Sequence, residues 1–193
     1  MTRIVAGAAR GRRLAVPPAG TRPTADRARE GLFSSLAASV GGPVGGGMEL
    51  TGQRFLDLYA GSGAVGLEAL SRGAVHVAMV ERDRAAADVV TKNVEAVGLT
   101  GAVVHRVPVE QWVRGAAPAH PFDLVFADPP YDLGDGDLTR VLRALTAPGW
   151  LVPDAVVVVE RGSRTPWTWP DGFTADRDRR YGEATLWYGR AAG

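Results

Sequence analysis

A doubly wound α/β sheet with a small N-terminal β-hairpin arm is the fold this sequence predicts, and three observations predict it. From residue 53 onward, strand-like and helix-like segments alternate, the pattern of parallel strands joined by helical crossovers. The first of those strands runs into a glycine-rich turn, Gly61-Ser62-Gly63-Ala64-Val65-Gly66, where such sheets bring a helix N-terminus to a ligand. Further on, Val156-Val157-Val158-Val159 is an unbroken valine run, which suits a strand covered on both faces.

Taken in order, Ile4–Ala6 and Arg13–Val16 are short strand-like pieces around Gly7, Gly11 and Arg12, and they predict the hairpin. Pro17-Pro18-Ala19-Gly20-Thr21-Arg22-Pro23 is a stiff linker or loop. Thr24 can cap a helix running to about Leu36, with Ala28, Leu32, Phe33 and Leu36 on one face. The glycine-rich stretch 41–47 breaks that helix. The alternating region then predicts strands at Arg54–Tyr59, Val75–Glu81, Val103–Val107, Phe122–Ala127 and Val156–Glu160. Between them it predicts helices at Ala64–Ser71, Ala85–Val97, Glu110–Arg114 and Asp137–Leu145. Phe173–Arg179 and Ala184–Tyr188, around Tyr181-Gly182, read as a closing antiparallel hairpin. The expected division is an arm, residues 1–23, ahead of a sheet domain, residues 24–193.

At 193 residues the chain is long enough for one domain with a full core. Apolar content of 46% and charged content of 22% are ordinary for a globular protein. No apolar run reaches the length of a membrane span, and Met1-Thr2-Arg3-Ile4-Val5-Ala6-Gly7 carries no secretory core. The sequence has no cysteine, which removes disulfides and thiolate metal sites and points to the cytoplasm. His76, His105 and His120 are scattered without ligand spacing, so no metal is expected.

Net charge is +1, but it is unevenly spread. Residues 1–30 hold seven arginines against Asp26 and Glu30, a net of +5, which leaves −4 on the rest. A basic arm on a near-neutral body suggests a polyanion. The chain's 21 arginines and single Lys92 reflect an arginine-rich composition, but composition does not account for the clustering.

The glycine turn offers backbone N–H groups to a nucleotide-like ligand, and Gly61, Gly63 and Gly66 have the spacing G-x-G-x-x-G. Glu81 ends the next strand, where a carboxylate can accept both ribose hydroxyls of a nucleoside. Asp57 separates the candidates. A turn that binds pyrophosphate gains nothing from an anion four residues before its first glycine. S-adenosylmethionine carries an ammonium and a sulfonium and no phosphate, so a carboxylate complements it. Near the adenine, Val109 or Glu110 can serve, while Trp112 reads as core packing.

The strand Phe122–Ala127 ends in Asp128-Pro129-Pro130-Tyr131. An exocyclic amine on a base is a poor nucleophile, because its lone pair is delocalised into the ring. Methylating it needs acceptors that hold its N–H bonds and stabilise the cation forming on nitrogen. Asp128 offers a side-chain acceptor and the Pro129 carbonyl a backbone one. The two prolines keep the loop extended, and Tyr131 can stack on the base. Catalytic candidates are therefore Asp128, Pro129 and Tyr131, and cofactor candidates are Asp57, Gly61, Gly63, Glu81 and Asp128.

With these motifs in place, the chain resembles amino methyltransferases acting on nucleic-acid bases. Arg3-Ile4-Val5-Ala6-Gly7, Arg10-Gly11-Arg12-Arg13-Leu14 and Arg22-Pro23-Thr24-Ala25-Asp26-Arg27-Ala28-Arg29-Glu30 narrow it further. Together with Arg180-Tyr181-Gly182-Glu183-Ala184, they resemble the bacterial small-subunit ribosomal RNA guanine-N2 methyltransferase family called RsmD. The glycine-rich stretch 41–47 departs from that pattern. The resemblance implies a Rossmann-like methyltransferase sheet and S-adenosylmethionine at Asp57–Gly63, Glu81 and Asp128. It also implies guanine at Asp128, Pro129 and Tyr131, and ribosomal RNA phosphates on Arg3, Arg10, Arg12, Arg13 and Arg22. Arg27 and Arg29 either hold the helix start or face the cleft. A monomer acting on ribosomal RNA or an assembling small subunit is expected. A DNA adenine-N6 or cytosine-N4 methyltransferase would use the same chemistry but normally needs a separate recognition domain. A non-catalytic ribosome-assembly factor would not need carboxylates at 57, 81 and 128, and a nicotinamide oxidoreductase is disfavoured by Asp57 and by residues 128–131.

Overall fold

The computed structural model describes residues 2–17, 26–41 and 47–192, with Asp26 described by its backbone alone. Strands β1 (Thr2–Arg3) and β2 (Arg13–Leu14) form the arm hairpin, and α1 (Asp26–Val40) follows. The alternating region supplies β3 (Arg54–Leu58), α2 (Ala64–Ser71), β4 (His76–Val80), α3 (Arg84–Val97), β5 (Ala102–His105) and α4 (Val109–Trp112). It continues through β6 (Phe122–Ala127), α5 (Asp135–Leu145) and β7 (Leu151–Gly162), and the tail hairpin is β8 (Phe173–Tyr181) with β9 (Ala184–Ala191).

The large sheet has seven strands in the order β5-β4-β3-β6-β7-β9-β8. Strands β3 to β7 run parallel, and β9 lies antiparallel between β7 and β8. The chain moves outward from β3 through β4 to β5, then returns to place β6 on the other side of β3. The reversal point is therefore between β3 and β6, and a doubly wound sheet opens its ligand crevice beyond the C-terminal ends of such a pair. Asp57 and the glycine turn lie at one side of that crevice, and residues 128–131 lie at the other.

Two apolar layers sandwich the sheet, and strand alternation sorts the residues between them. Phe55, Met79, Phe126 and Val158 face the layer that holds α1, α2, α3 and the arm. Leu56, Val80, Val125 and Val157 face the layer that holds α4 and α5. The predicted apolar face of α1, Ala28, Leu32, Phe33 and Leu36, is buried. Its expected cap Thr24 lies outside the described residues. No described helix is long and apolar enough to cross a membrane.

The arm hairpin pairs Thr2–Arg3 with Arg13–Leu14, so its first strand precedes the expected Ile4–Ala6 and its second stops short of Val16, because the intervening amides have other partners. Val5 and Ala6 donate to the Glu68 carboxylate in α2, at 2.7 and 2.9 Å, instead of joining a ladder. The Ala9 amide donates to Ser71 Oγ at 2.9 Å. Gly7 approaches so closely that a Cβ there would lie 1.8 Å from the Ser71 carbonyl oxygen. Ile4 and Leu14 enter the main core. The expected boundary after residue 23 falls among residues 18–25, outside the described residues. Strand β7 is longer than Val156–Glu160 because ladders on both sides recruit its flanks. Asp154, at φ 60, lies in the irregular stretch that lets a chain containing Pro153 begin the strand.

Candidate active site

Beyond the C-terminal ends of β3, β4, β6 and β7 is a cavity of about 580 Å³. Its lining includes Asp57, Gly61, Glu81, Asp128, Pro129 and Tyr131. The structure thus brings together six of the seven residues that the sequence suggested for cofactor and chemistry. Gly63 is adjacent, between the lining residues Ser62 and Ala64.

The glycine turn works by conformation and by closeness. Gly61 and Gly63 have φ of 57° and 74°, a left-handed backbone that side chains disfavour, and Gly63 is the N-cap of α2. A Cβ on Gly63 would stand 2.9 Å from a Val90 methyl, and one on Gly66 would stand 2.8 Å from Met79. The turn therefore packs closely against α3 and β4 and brings the first turn of α2 to the cavity. Tyr59 also lines the cavity, with φ 61° on a bulky residue, a backbone state that costs of order 1–3 kcal/mol and concentrates at functional sites. Its hydroxyl donates to Glu110 Oε1 at 3.2 Å, and burial with the Glu110 charge pushes the phenol upward.

Asp57, Glu81 and Asp128 are among the carboxylates that line this crevice. Asp57 is buried and accepts the Gly66 amide at 2.8 Å. Burial pushes its carboxyl up to about 7; the Gly66 bond opposes the rise and the Glu81 charge adds to it. Glu81 ties two backbone segments together, accepting Gly61 N–H at 2.9 Å and Asp83 N–H at 2.8 Å. Asp128 is raised well above the usual carboxylate range, first by burial, then by the charges of Glu160 and Asp57. Negative groups gathered in a partly enclosed space suit a ligand that carries positive charge or donates hydrogen bonds.

Several lining residues were not singled out from the sequence: Tyr59, Glu160, Tyr181 and Glu183. Glu160 could have been suspected as the polar end of the valine run. Tyr181 and Glu183 belong to the tail motif that resembles the family, but its place in the site is set by the fold: a Cβ on Gly31 would meet the Tyr181 hydroxyl at 2.0 Å. Tyr131 is 81% exposed at the cavity mouth, where a ring can meet an incoming base. Val109 and Glu110 do not line the cavity, although Glu110 reaches it through Tyr59. Trp112 packs against His105, Phe122 and Trp150, as expected of a core residue.

Arg3, Arg10, Arg12 and Arg13 are all exposed. Arg22 lies outside the described residues. Arg29 does not line the cavity. It is 1% exposed, pairs with Glu68 at 3.8 Å and donates to the Arg3 carbonyl at 2.7 Å. Asn93 joins the arm to the glycine turn. Its amide nitrogen donates to the carbonyls of Ala15 and Ser62, both at 2.9 Å, and its Oδ1 accepts Ala15 N–H.

Residues 2–190 match a family described as conserved hypothetical protein 95. The ribosomal RNA small subunit methyltransferase D of Escherichia coli is 39% identical over 159 residues, 82% of this chain and 73% of that one. The protein of the same name from Haemophilus influenzae is 32% identical over 184 residues, 93% of this chain and 89% of its own. Among solved structures, Escherichia coli yhhF is 34% identical with a TM-score of 0.81, covering 100% of this chain and 98% of that one. A hypothetical protein from Thermus thermophilus is also 34% identical, with a TM-score of 0.79 and coverage of 97% and 98%.

Proposed function

The chain belongs to the family described as conserved hypothetical protein 95, and from that footing we propose that it is an S-adenosylmethionine-dependent methyltransferase acting on the N2 amine of a guanine in small-subunit ribosomal RNA. The observation that carries this reading is the single cavity shared by the glycine turn with Asp57 and Glu81 on one side and Asp128, Pro129 and Tyr131 on the other. Support for ribosomal RNA comes from the Escherichia coli and Haemophilus influenzae relatives.

The residues present fit that cofactor. Asp57 is a buried carboxylate raised by desolvation, a state that a neighbouring cation relieves. Glu81 stands at the end of the adjacent strand, and its oxygens retain lone pairs for a ribose hydroxyl. Bound there, the cofactor supplies a methyl group on a positively charged sulfur, transferred with the carbon–sulfur electron pair left on sulfur.

The chain's own residues do the rest. Asp128 and the Pro129 carbonyl accept the two N–H bonds of the guanine amine and orient its nitrogen. Tyr131 covers the base plane. As the nitrogen becomes cationic, the Asp128 carboxylate stabilises it and can take the proton it sheds. Its raised proton affinity favours that step over one at an ordinary carboxylate. Residues 1–23 form an arm whose Arg3, Arg10, Arg12, Arg13 and Arg22 hold RNA phosphates, while residues 24–193 form the methyltransferase domain.

The test is nucleoside mass spectrometry of digested small-subunit ribosomal RNA from a strain lacking the protein. N2-methylguanosine should be depleted. It should return on incubation with the purified protein and S-adenosylmethionine. A new N6-methyladenosine, or no new methylated nucleoside, sinks the reading.

A further inference from the structure

We infer that Glu160 accepts the N1–H of the target guanine and thereby selects guanine over adenine and cytosine. This rests on the guanine-N2 reading above and assigns a residue to its specificity.

The placement follows from the sheet. Strands β6 and β7 are parallel neighbours, with Ala127 opposite Val159. The next residue on each is a carboxylate, Asp128 and Glu160. Phe126 and Val158 both face the α1–α2 layer, so alternation sends Asp128 and Glu160 to that same face, side by side. Both line the main cavity, and both line a smaller lobe with Pro129, Tyr131 and Glu183. Glu160 is held in register from the other side as well, opposite Leu186 of β9. Glu183, by contrast, is exposed in the turn between β8 and β9. Glu160 is therefore the rigid acceptor of the pair.

Two acceptors side by side are an unusual demand, and base edges answer it differently. The Watson–Crick edge of guanine presents the N2 amine beside N1–H, so its neighbouring groups both donate. Adenine presents its amine beside N1, and cytosine beside N3, each a bare lone pair. A carboxylate facing that lone pair has nothing to accept and is repelled. With Asp128 on the amine, a carboxylate at Glu160 accepts from guanine and penalises the other two bases. A site built around one hydrogen bond discriminates strongly against an analogue that lacks the donor.

The base analogue 2-aminopurine keeps the exocyclic C2 amine and lacks both N1–H and the 6-oxo group, so the part of the guanine preference that depends on Glu160 isolates this contact. Small-subunit RNA is prepared with guanine or 2-aminopurine at the position mapped by mass spectrometry of ribonuclease-generated oligonucleotides. Single-turnover transfer of labelled methyl is then measured for wild type and Glu160→Gln. Wild type should favour guanine by about 10- to 100-fold, the scale of one hydrogen bond to a charged group. Glu160→Gln should collapse that preference, because an amide can donate to a bare N1 as well as accept from N1–H. Its affinity for S-adenosylmethionine should stay at the wild-type value. If Glu160→Gln does not fold, Glu160→Asp, which withdraws the carboxylate by one methylene, should show the same collapse. An unchanged preference in the variant, or none in wild type, overturns the role of Glu160 and leaves the guanine reading standing. A variant that binds the cofactor but is inert toward both RNAs also overturns it, since Glu160 then serves transfer and not base choice. Methyl found on adenine in wild type removes both readings together.

Discussion

Asp57 shows what burial does to a single carboxylate at a strand end. Its folded value of about 7 lies above the ordinary 3.8. Its ionisation therefore opposes folding: the stability this group contributes is fully present below the ordinary 3.8 and is lost as pH rises through about 7. A cation beside it favours the charged form, so the sign reverses for binding. Below about pH 7 the free protein must release a proton from Asp57 to bind S-adenosylmethionine, and affinity should fall by up to about tenfold per pH unit. Above about pH 7 it should be flat. Asp57→Asn should weaken binding by about 1–3 kcal/mol at about pH 8, remove the pH dependence and raise the denaturation midpoint there. Calorimetry across this range checks all three, and a wild-type affinity indifferent to pH would remove Asp57 from the cofactor's side. At Asp128 the charge is the working part. Asp128→Asn keeps shape and one acceptor, so transfer should slow by roughly 10²–10³-fold at saturating S-adenosylmethionine. Tyr131→Ala should lose about 1–3 kcal/mol of RNA affinity, and Tyr131→Phe almost none, because an exposed ring stacks without its hydroxyl. Equal damage from Phe and Ala would show that the hydroxyl, and not stacking, is what matters.

At the scale of elements, α2 is more than the helix behind the glycine turn. All its residues are buried, and one of them is Glu68, 0% exposed. That carboxylate accepts two arm amides and the Arg72 guanidinium at 2.9 Å, with Arg29 at 3.8 Å. A buried charge so well bonded is costly to disturb, because its partners are left unsatisfied. Glu68→Ala should lower stability by about 3–5 kcal/mol in denaturant titration and should speed proteolysis of the arm before the sheet unfolds. Uniform proteolysis of the whole chain would show that the arm and sheet unfold as one unit.

At the scale of the whole molecule, the arm carries exposed Arg10, Arg12 and Arg13 while its inner face is bonded to α2 and, through Asn93, to the glycine turn. On the proposed function, this exposed basic surface meets RNA phosphate. Replacing the three arginines with glutamine should weaken RNA binding and flatten its log–log salt dependence by about 0.7–0.9 for each phosphate the arm no longer neutralises. Cofactor affinity should be unchanged. An unaltered slope would show that these arginines do not meet phosphate.

Local signals in the sequence account for the alternating α/β order, the glycine turn after the first inner strand and the carboxylates near the ends of β3, β4 and β6. Each is a local signal: hydrophobic periodicity, a backbone state that glycine tolerates, a polar residue closing an apolar run. Helix α2 and strand β6 lie where periodicity put them. The RsmD-like resemblance drawn from the motifs agrees with the family match over residues 2–190. Only the tertiary structure decided which of these signals meet. No local signal places Arg29 against Glu68, 39 positions away in the chain, where it is buried. Glu160 reads as the end of a core strand and Tyr181 as a turn residue, yet both line the cavity with Asp57 and Asp128. Sheet order and register set those meetings, and they depend on which strands pair across long separations, a choice made by packing the whole core and not by any local run of residues.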